Sequence, residues 1–125
     1  MIESRQAEQR VLVDSMEAAA LRPFTDSAIP IGASRSDVTR LMTEIILKRS
    51  LTPFTYKALC VPLHYNGIPL PVRRFARLAP EQDCVVHVWT VNDTRVATDL
   101  WLAGIAGIIS DDPAAMLRAR ALLPR

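Results

Sequence analysis

CVVHVWTVNDTRVATDLWLAGIAGIISDDP, residues Cys84 to Pro113, spells one pattern twice. Cys84 to Val91 is rich in β-branched and aromatic residues, the composition of a pleated, half-buried strand. The run stops at Asn92-Asp93-Thr94, any of which caps a helix well, and Val96, Leu100 and Trp101 follow at helical spacing. Gly104 is placed to end that helix. Ile105 to Ile109 then repeats the strand. Ser110-Asp111-Asp112-Pro113 repeats the helix start, with polar caps ahead of a proline at about the first helical position. Met116, Leu117 and Leu122 belong to the final helix. Strands alternating with helices at this short period predict parallel βαβ units, because each crossover helix returns the chain to the same direction.

The alternation extends upstream. Val11 to Val13 is a short apolar run opening at Asp14-Ser15, and MEAAALRPF (Met16 to Phe24) predicts a helical turn or two ended by Pro23. A weaker strand falls near Ile29 to Ile31. Past Pro30 and Gly32, Ser34 and Asp37 have the spacing of a capping box. Val38, Leu41, Met42, Ile45 and Ile46 then recur on one helical face, the best-marked element of the chain. Leu59 to Leu63 reads as a strand closed by Asn66-Gly67, and Val72, Phe75, Ala76 and Ala79 as the helix after it. Four strands are well marked and the one near Ile29 makes a fifth.

A chain of 125 residues has room for one domain with a modest core. Half of its residues are hydrophobic and 22% are charged, a balance that belongs to folded globular chains rather than disordered ones. The net charge of +2 arises from 15 basic and 13 acidic residues scattered along the sequence. No basic block is dense enough to track a phosphate backbone, so nucleic acid is not an expected partner. Cys60 and Cys84 form no CxxC pair and are expected as buried thiols. The opening MIESRQAEQR is polar where a secretory signal needs an apolar core, and nothing approaches the roughly 20 apolar residues of a membrane span. A cytoplasmic setting with no membrane span is the expectation.

In parallel α/β folds, function collects at the C-terminal ends of strands. Here those ends carry Asp14 and Ser15, Pro62 to His64, Trp89 to Asp93, and Ser110 to Asp112. VVHVWTVND (Val85 to Asp93) followed by LAGIAGIISDDP (Leu102 to Pro113) resembles the last two βα units of the glycerophosphodiester phosphodiesterase family. There a V-x-V-W-T-V-N strand precedes a G-V-D-G-I-x-T-D-x-P strand. VLVDSM (Val11 to Met16) is similar to the family's strand ending in Ser-Phe, and ALCVPL (Ala58 to Leu63) sits where an apolar strand ending near Pro is expected. The resemblance covers nearly the whole chain.

The resemblance implies an α/β fold, part of a (β/α)₈ barrel, with residues 1–125 as the C-terminal portion of the domain and roughly strands four to eight present. The family's first three strands carry its His-Arg-Gly motif, its Glu-x-Asp metal ligands, a second catalytic His and a Glu-x-Lys strand. With those groups a divalent metal, Mg or Ca, polarises a glycerophosphodiester while His acts as acid or base, releasing an alcohol and glycerol 3-phosphate. By this alignment those strands lie outside the chain. No catalytic residue and no metal are therefore expected on it alone. Trp89 lines the substrate pocket in the family, and Asn92 and Ser15 stand at neighbouring strand ends as substrate-binding candidates. Three positions depart from the pattern: Met16 for Phe, Ala106 for the Asp of G-V-D-G, and Ser110-Asp111-Asp112 for Thr-Asp-Arg.

Taken without the resemblance, Trp89 in an apolar strand reads as core packing. His87, two residues earlier on the same side of the strand, reads as a hydrogen-bonded core histidine. His64 reads as a surface loop residue, Asp111 and Asp112 as helix caps, and Arg73, Arg74, Arg118 and Arg120 as solvated faces. A cut barrel exposes strand edges, which implies self-association or pairing with a chain that supplies the missing strands. An alternative is a non-catalytic, open α/β module holding a glycerophosphate-like ligand with Trp89 and the helix N-termini at Thr94 and Pro113. A phosphoacceptor receiver domain needs a Lys near its end, whereas the only lysines are Lys48 and Lys57.

Overall fold

A computed structural model describes residues 10–124, so most of the polar opening segment lies outside the described residues. The chain divides into two compact units, one ending at Leu59 and the other beginning at Cys60.

In the first unit, Val13 makes a parallel bridge with Ile31, and Gly32 makes one with Ala58. The runs expected as strands at Val11 and Ile29 are thus reduced to single bridges, held by Val13 N–H to the Pro30 carbonyl (2.9 Å) and Gly32 N–H to the Val13 carbonyl (2.8 Å). Gly32 is required by close approach. A Cβ there would overlap the Asp14 carboxylate, with its Cγ at 2.8 Å. Helix α1 (Ala18–Leu21) runs into a 3₁₀ turn over Arg22–Phe24. The α-helix ends just ahead of Pro23 as expected, and the proline sits near the start of the 3₁₀ turn that follows, where its fixed φ fits.

Helix α2 (Arg35–Ile46) begins as its sequence predicts. The Ser34 hydroxyl accepts from Asp37 N–H (3.4 Å) while the Asp37 carboxylate accepts from Ser34 N–H (2.9 Å), a complete capping box. Val38 and Leu41 are buried, Met42 and Ile45 half-buried, and Ile46 lies outside the stripe at 68% exposed.

Strand β1 (Ala58–Pro62) opens in the first unit and continues into the second. A hairpin follows, β2 (His64–Tyr65) with β3 (Ile68–Pro69), pairing His64 with Pro69 and Tyr65 with Ile68. Asn66-Gly67, expected only to close the preceding strand, forms its turn with φ of 51° and 78° at the two residues. Two positive φ angles in succession mark a tight hairpin turn that Asn-Gly favours. Helix α3 (Val72–Leu78) continues as a 3₁₀ turn to Gln82 and buries Val72, Phe75 and Ala76. Strand β4 (Val85–Trp89), helix α4 (Thr94–Leu102), strand β5 (Gly107–Ile108) and helix α5 (Pro113–Ala121) complete the chain. Gly104 terminates α4 with φ of 100°, a conformation that only glycine adopts readily.

The sheet order is β1-β4-β5, and β4 and β5 run parallel with His87 opposite Gly107. Apart from the hairpin, paired segments within each unit follow one another in the chain, with the two bridges and the β4–β5 pair parallel. β4 records the difference between faces: Val86 and Val88 are 2% and 0% exposed, whereas Val85, His87 and Trp89 on the other side remain exposed or half-buried.

Candidate functional site

The C-terminal ends of β4 and β5 hold a linked polar cluster in the second unit. Trp89 is the last residue of β4, half-buried on the side of the strand that also carries His87. Asn92 lies three residues on and is exposed, and its amide is committed to the neighbouring strand end. Its Oδ1 accepts from the Ser110 hydroxyl (2.9 Å) and from Asp111 N–H (3.0 Å), and its Nδ2 donates to the Asp111 carboxylate (3.0 Å). The Ser110 hydroxyl accepts in turn from Asp112 N–H at 3.0 Å. Asn92 is therefore a clasp between the two loops that lead into α4 and α5.

The carboxylates beside this clasp are engaged as caps. Asp93 Oδ1 accepts from Arg95 N–H (2.8 Å) and Val96 N–H (3.4 Å), so Asp93 is the cap among the three candidates at the α4 start. Asp112 Oδ1 accepts from Ala115 N–H at 3.0 Å, the capping role expected of it. Asp111, expected to share that role, instead pairs with Asn92. Among the described residues no group of three or more His, Cys, Asp or Glu side chains is arranged around a common point. A hard divalent cation asks for six or more oxygen ligands converging on it. Asp93 and Asp112 are turned to separate helix N-termini and Asp111 to Asn92, so these acids do not converge as that requirement asks.

Ser15 belongs to the first unit, where its hydroxyl accepts from Glu17 N–H (3.1 Å) at the entry to α1. The structure thus brings Trp89 and Asn92 to one strand end, and Ser15 stands at the end of its own strand segment. Glu81-Gln82-Asp83 has Glu-x-Asp spacing, yet it forms the turn ahead of β4, away from the strand's C-terminal end. His64 lies on the exposed hairpin, as its sequence context suggests. Arg120 departs from the simple solvated reading: its guanidinium carbon is 5.7 Å from the Trp101 ring centroid, within cation–π range. No pattern in the one-dimensional sequence pairs those two residues, since α4 and α5 meet only through the fold.

Comparison with known proteins settles the lineage. The model of the glycerophosphoryl diester phosphodiesterase family matches residues 2–115. The chain belongs to that family. In architecture this family member is similar to a crystal structure from Silicibacter pomeroyi DSS-3, a protein assigned as a glycerophosphoryl diester phosphodiesterase. The TM-score is 0.61 at 15% identity, and the match covers 94% of this chain and 40% of that one. The α/β architecture with its parallel strands is thereby shared with a phosphodiesterase-family fold, over less than half of the relative's length. No curated protein matches the chain. No helix among the described residues is long and apolar enough to cross a membrane.

Proposed function

We propose that this phosphodiesterase-family chain corresponds to the C-terminal portion of the domain, roughly strands four to eight of a (β/α)₈ barrel, and carries substrate-facing rather than bond-breaking groups. The observation that carries the reading is the family match over residues 2–115 together with strand ends whose acids are occupied as caps. In this reading Trp89 forms a wall for the glycerol part of a glycerophosphodiester. Asn92 sets the wall's edge by holding the Ser110-Asp111 loop, and Ser15 contributes a hydroxyl from its own strand end. Phosphoric diester hydrolysis to an alcohol and glycerol 3-phosphate, within glycerophospholipid metabolism in the cytoplasm, is the activity of the complete assembly. It requires a divalent ion and catalytic groups from strands beyond these, supplied by a companion chain or segment.

The test is release of glycerol 3-phosphate from glycerophosphocholine by the purified chain, with magnesium or calcium and a chelator control. The expected result is no turnover alone and metal-dependent turnover once the complementary barrel strands are added in trans. Metal-dependent turnover by the chain alone would sink the division of roles proposed here. The engagement of Asp93, Asp111 and Asp112 favours a second reading, a non-catalytic module that holds glycerol 3-phosphate. Calorimetric titration separates the two, since heat that disappears in Trp89→Ala without any complementing strands supports the module.

A further inference from the structure

The longest acid-free stretch of the second unit ends in its most basic helix. From Cys60 to Pro80 there is no Asp or Glu, and Arg73, Arg74 and Arg77 are the only Lys or Arg. All three are exposed, on the side of α3 opposite the buried Val72, Phe75 and Ala76. None takes part in an ion pair among the described residues. Arg73 and Arg74 moreover occupy the first turn, which holds no acid and where a cation runs against the helix dipole. Neither ion pairing nor the dipole supplies a reason for two cations there. Just ahead of this helix stands the β2–β3 hairpin. Tyr65 and Ile68 are partners in its register, 44% and 62% exposed, and directly opposed residues put their side chains on one face. A hairpin of two-residue strands with no further sheet is weak by itself in water. Pro69 and Val72 are three residues apart, so at most about 11 Å of backbone separates the hairpin's base from the first turn of α3.

We propose that the β2–β3 hairpin and the exposed side of α3 form a docking surface for an anionic phospholipid membrane, with Tyr65 and Ile68 entering the interfacial layer and Arg73, Arg74 and Arg77 meeting lipid phosphates. The sign of the charge selects the occupant. Three unpaired cations with no acid among them attract a negative surface, and a guanidinium forks onto phosphate oxygens. The apolar pair selects a membrane over a dissolved anion. An aromatic ring with a polar tip belongs at headgroup level, and an exposed isoleucine gains by leaving water, which a free phosphate does not offer it. Nucleic acid fits less well, because three cations are few to track a phosphate backbone and Tyr65 is the hairpin's only aromatic platform. Contact of this kind lies on the membrane and needs no spanning helix, and the described residues contain none. It concerns where the chain is held and stands whether or not the chain completes a barrel.

The experiment is flotation of the 125-residue chain with vesicles of phosphatidylcholine alone and of equal parts phosphatidylcholine and phosphatidylglycerol, at low and high salt. Binding is expected on the anionic vesicles only, and to fall as salt screens the cations. Arg73→Gln/Arg74→Gln/Arg77→Gln is expected to weaken it roughly hundredfold, about fivefold per cation. Arg22→Gln/Arg95→Gln/Arg118→Gln removes the same charge from exposed positions elsewhere and is expected to bind nearly as the parent does at physiological salt. Tyr65→Thr/Ile68→Thr keeps β-forming residues in the hairpin and is expected to weaken binding at least about tenfold. No flotation with anionic vesicles, equal flotation with neutral ones, equal losses in the two arginine triples, or binding untouched in the hairpin variant overturns the proposal. Displacement by glycerol 3-phosphate, or tighter binding to duplex DNA than to the vesicles, overturns it as well by reassigning the surface. Far-UV circular dichroism checks each variant's fold, and Ile68→Thr alone replaces the hairpin double variant if that one unfolds.

Discussion

Gly107 and Asn92 show how single residues fix the strand ends. Gly107→Ala would drive a methyl group to within 2.8 Å of the His87 ring, and overpacking of this kind costs about 1–3 kcal/mol. The ring is the obstacle, so the loss is expected to shrink in the double variant Gly107→Ala/His87→Ala; additive losses in chemical denaturation would show that the glycine serves some other purpose. Asn92→Ala deletes three hydrogen bonds and is expected to lower stability by about 1–2 kcal/mol. Asn92→Asp is expected to lose more, because it sets a second carboxylate against Asp111. Equal melting temperatures for the two variants would remove the clasp from the account. The caps among these residues were legible in the sequence, since Asp before a helical pattern has a local cause. The clasp was not: Asn92 meets Asp111 only because β4 and β5 pair, and nothing in the spacing of 19 residues announces it.

Helices and turns obey their local chemistry closely. The α2 start was readable because both halves of its capping box lie within four residues, and Ser34→Ala is expected to cost about 1 kcal/mol in urea denaturation. The β2–β3 hairpin leaves no strand pattern in the sequence because each strand is only two residues long, too short to alternate. Its turn nonetheless carries the signal, and Gly67→Ala at φ 78° is expected to destabilise it by about 1 kcal/mol. The segment after α2 is tied back to it through Glu44, whose carboxylate accepts from Thr52 N–H (3.1 Å) and from the Thr52 hydroxyl. Those hydrogen bonds, the side-chain one first, hold the Glu44 carboxyl below its ordinary pKa. A depressed carboxyl pKa adds stability that is present above the unfolded value and lost as pH falls through the folded one. Glu44→Gln is therefore expected to be less stable than the parent at neutral pH, with the gap closing as pH falls through the lowered pKa of the folded carboxyl. A constant gap across that range in pH-dependent melting would show that the carboxylate is not the tether.

At the scale of the whole chain, the sequence signalled the parallel α/β class because βαβ units repeat the same strand-cap-helix grammar. It overstated the strands, since an apolar run reports burial and only pairing partners decide how many residues enter a ladder. Val85 and Ile109 remain 43% and 48% exposed, apolar groups that a self-sufficient sheet would cover. Concentration-dependent association is the expected outcome by light scattering, and a monomer unchanged across a hundredfold range of about micromolar to about submillimolar concentrations would argue against it. The order of the parallel partners bears also on how the chain is made. Apart from the β2–β3 hairpin, the paired segments of each unit follow one another in the chain. Each parallel pairing still closes a crossover of roughly a dozen or more residues, so it forms more slowly than the β2–β3 hairpin, whose turn is two residues long. As the chain leaves the ribosome at roughly 5–20 residues per second, each new strand emerges onto an edge already standing. Pairing in this order is expected to run from the N-terminus, each strand offering its edge to the next.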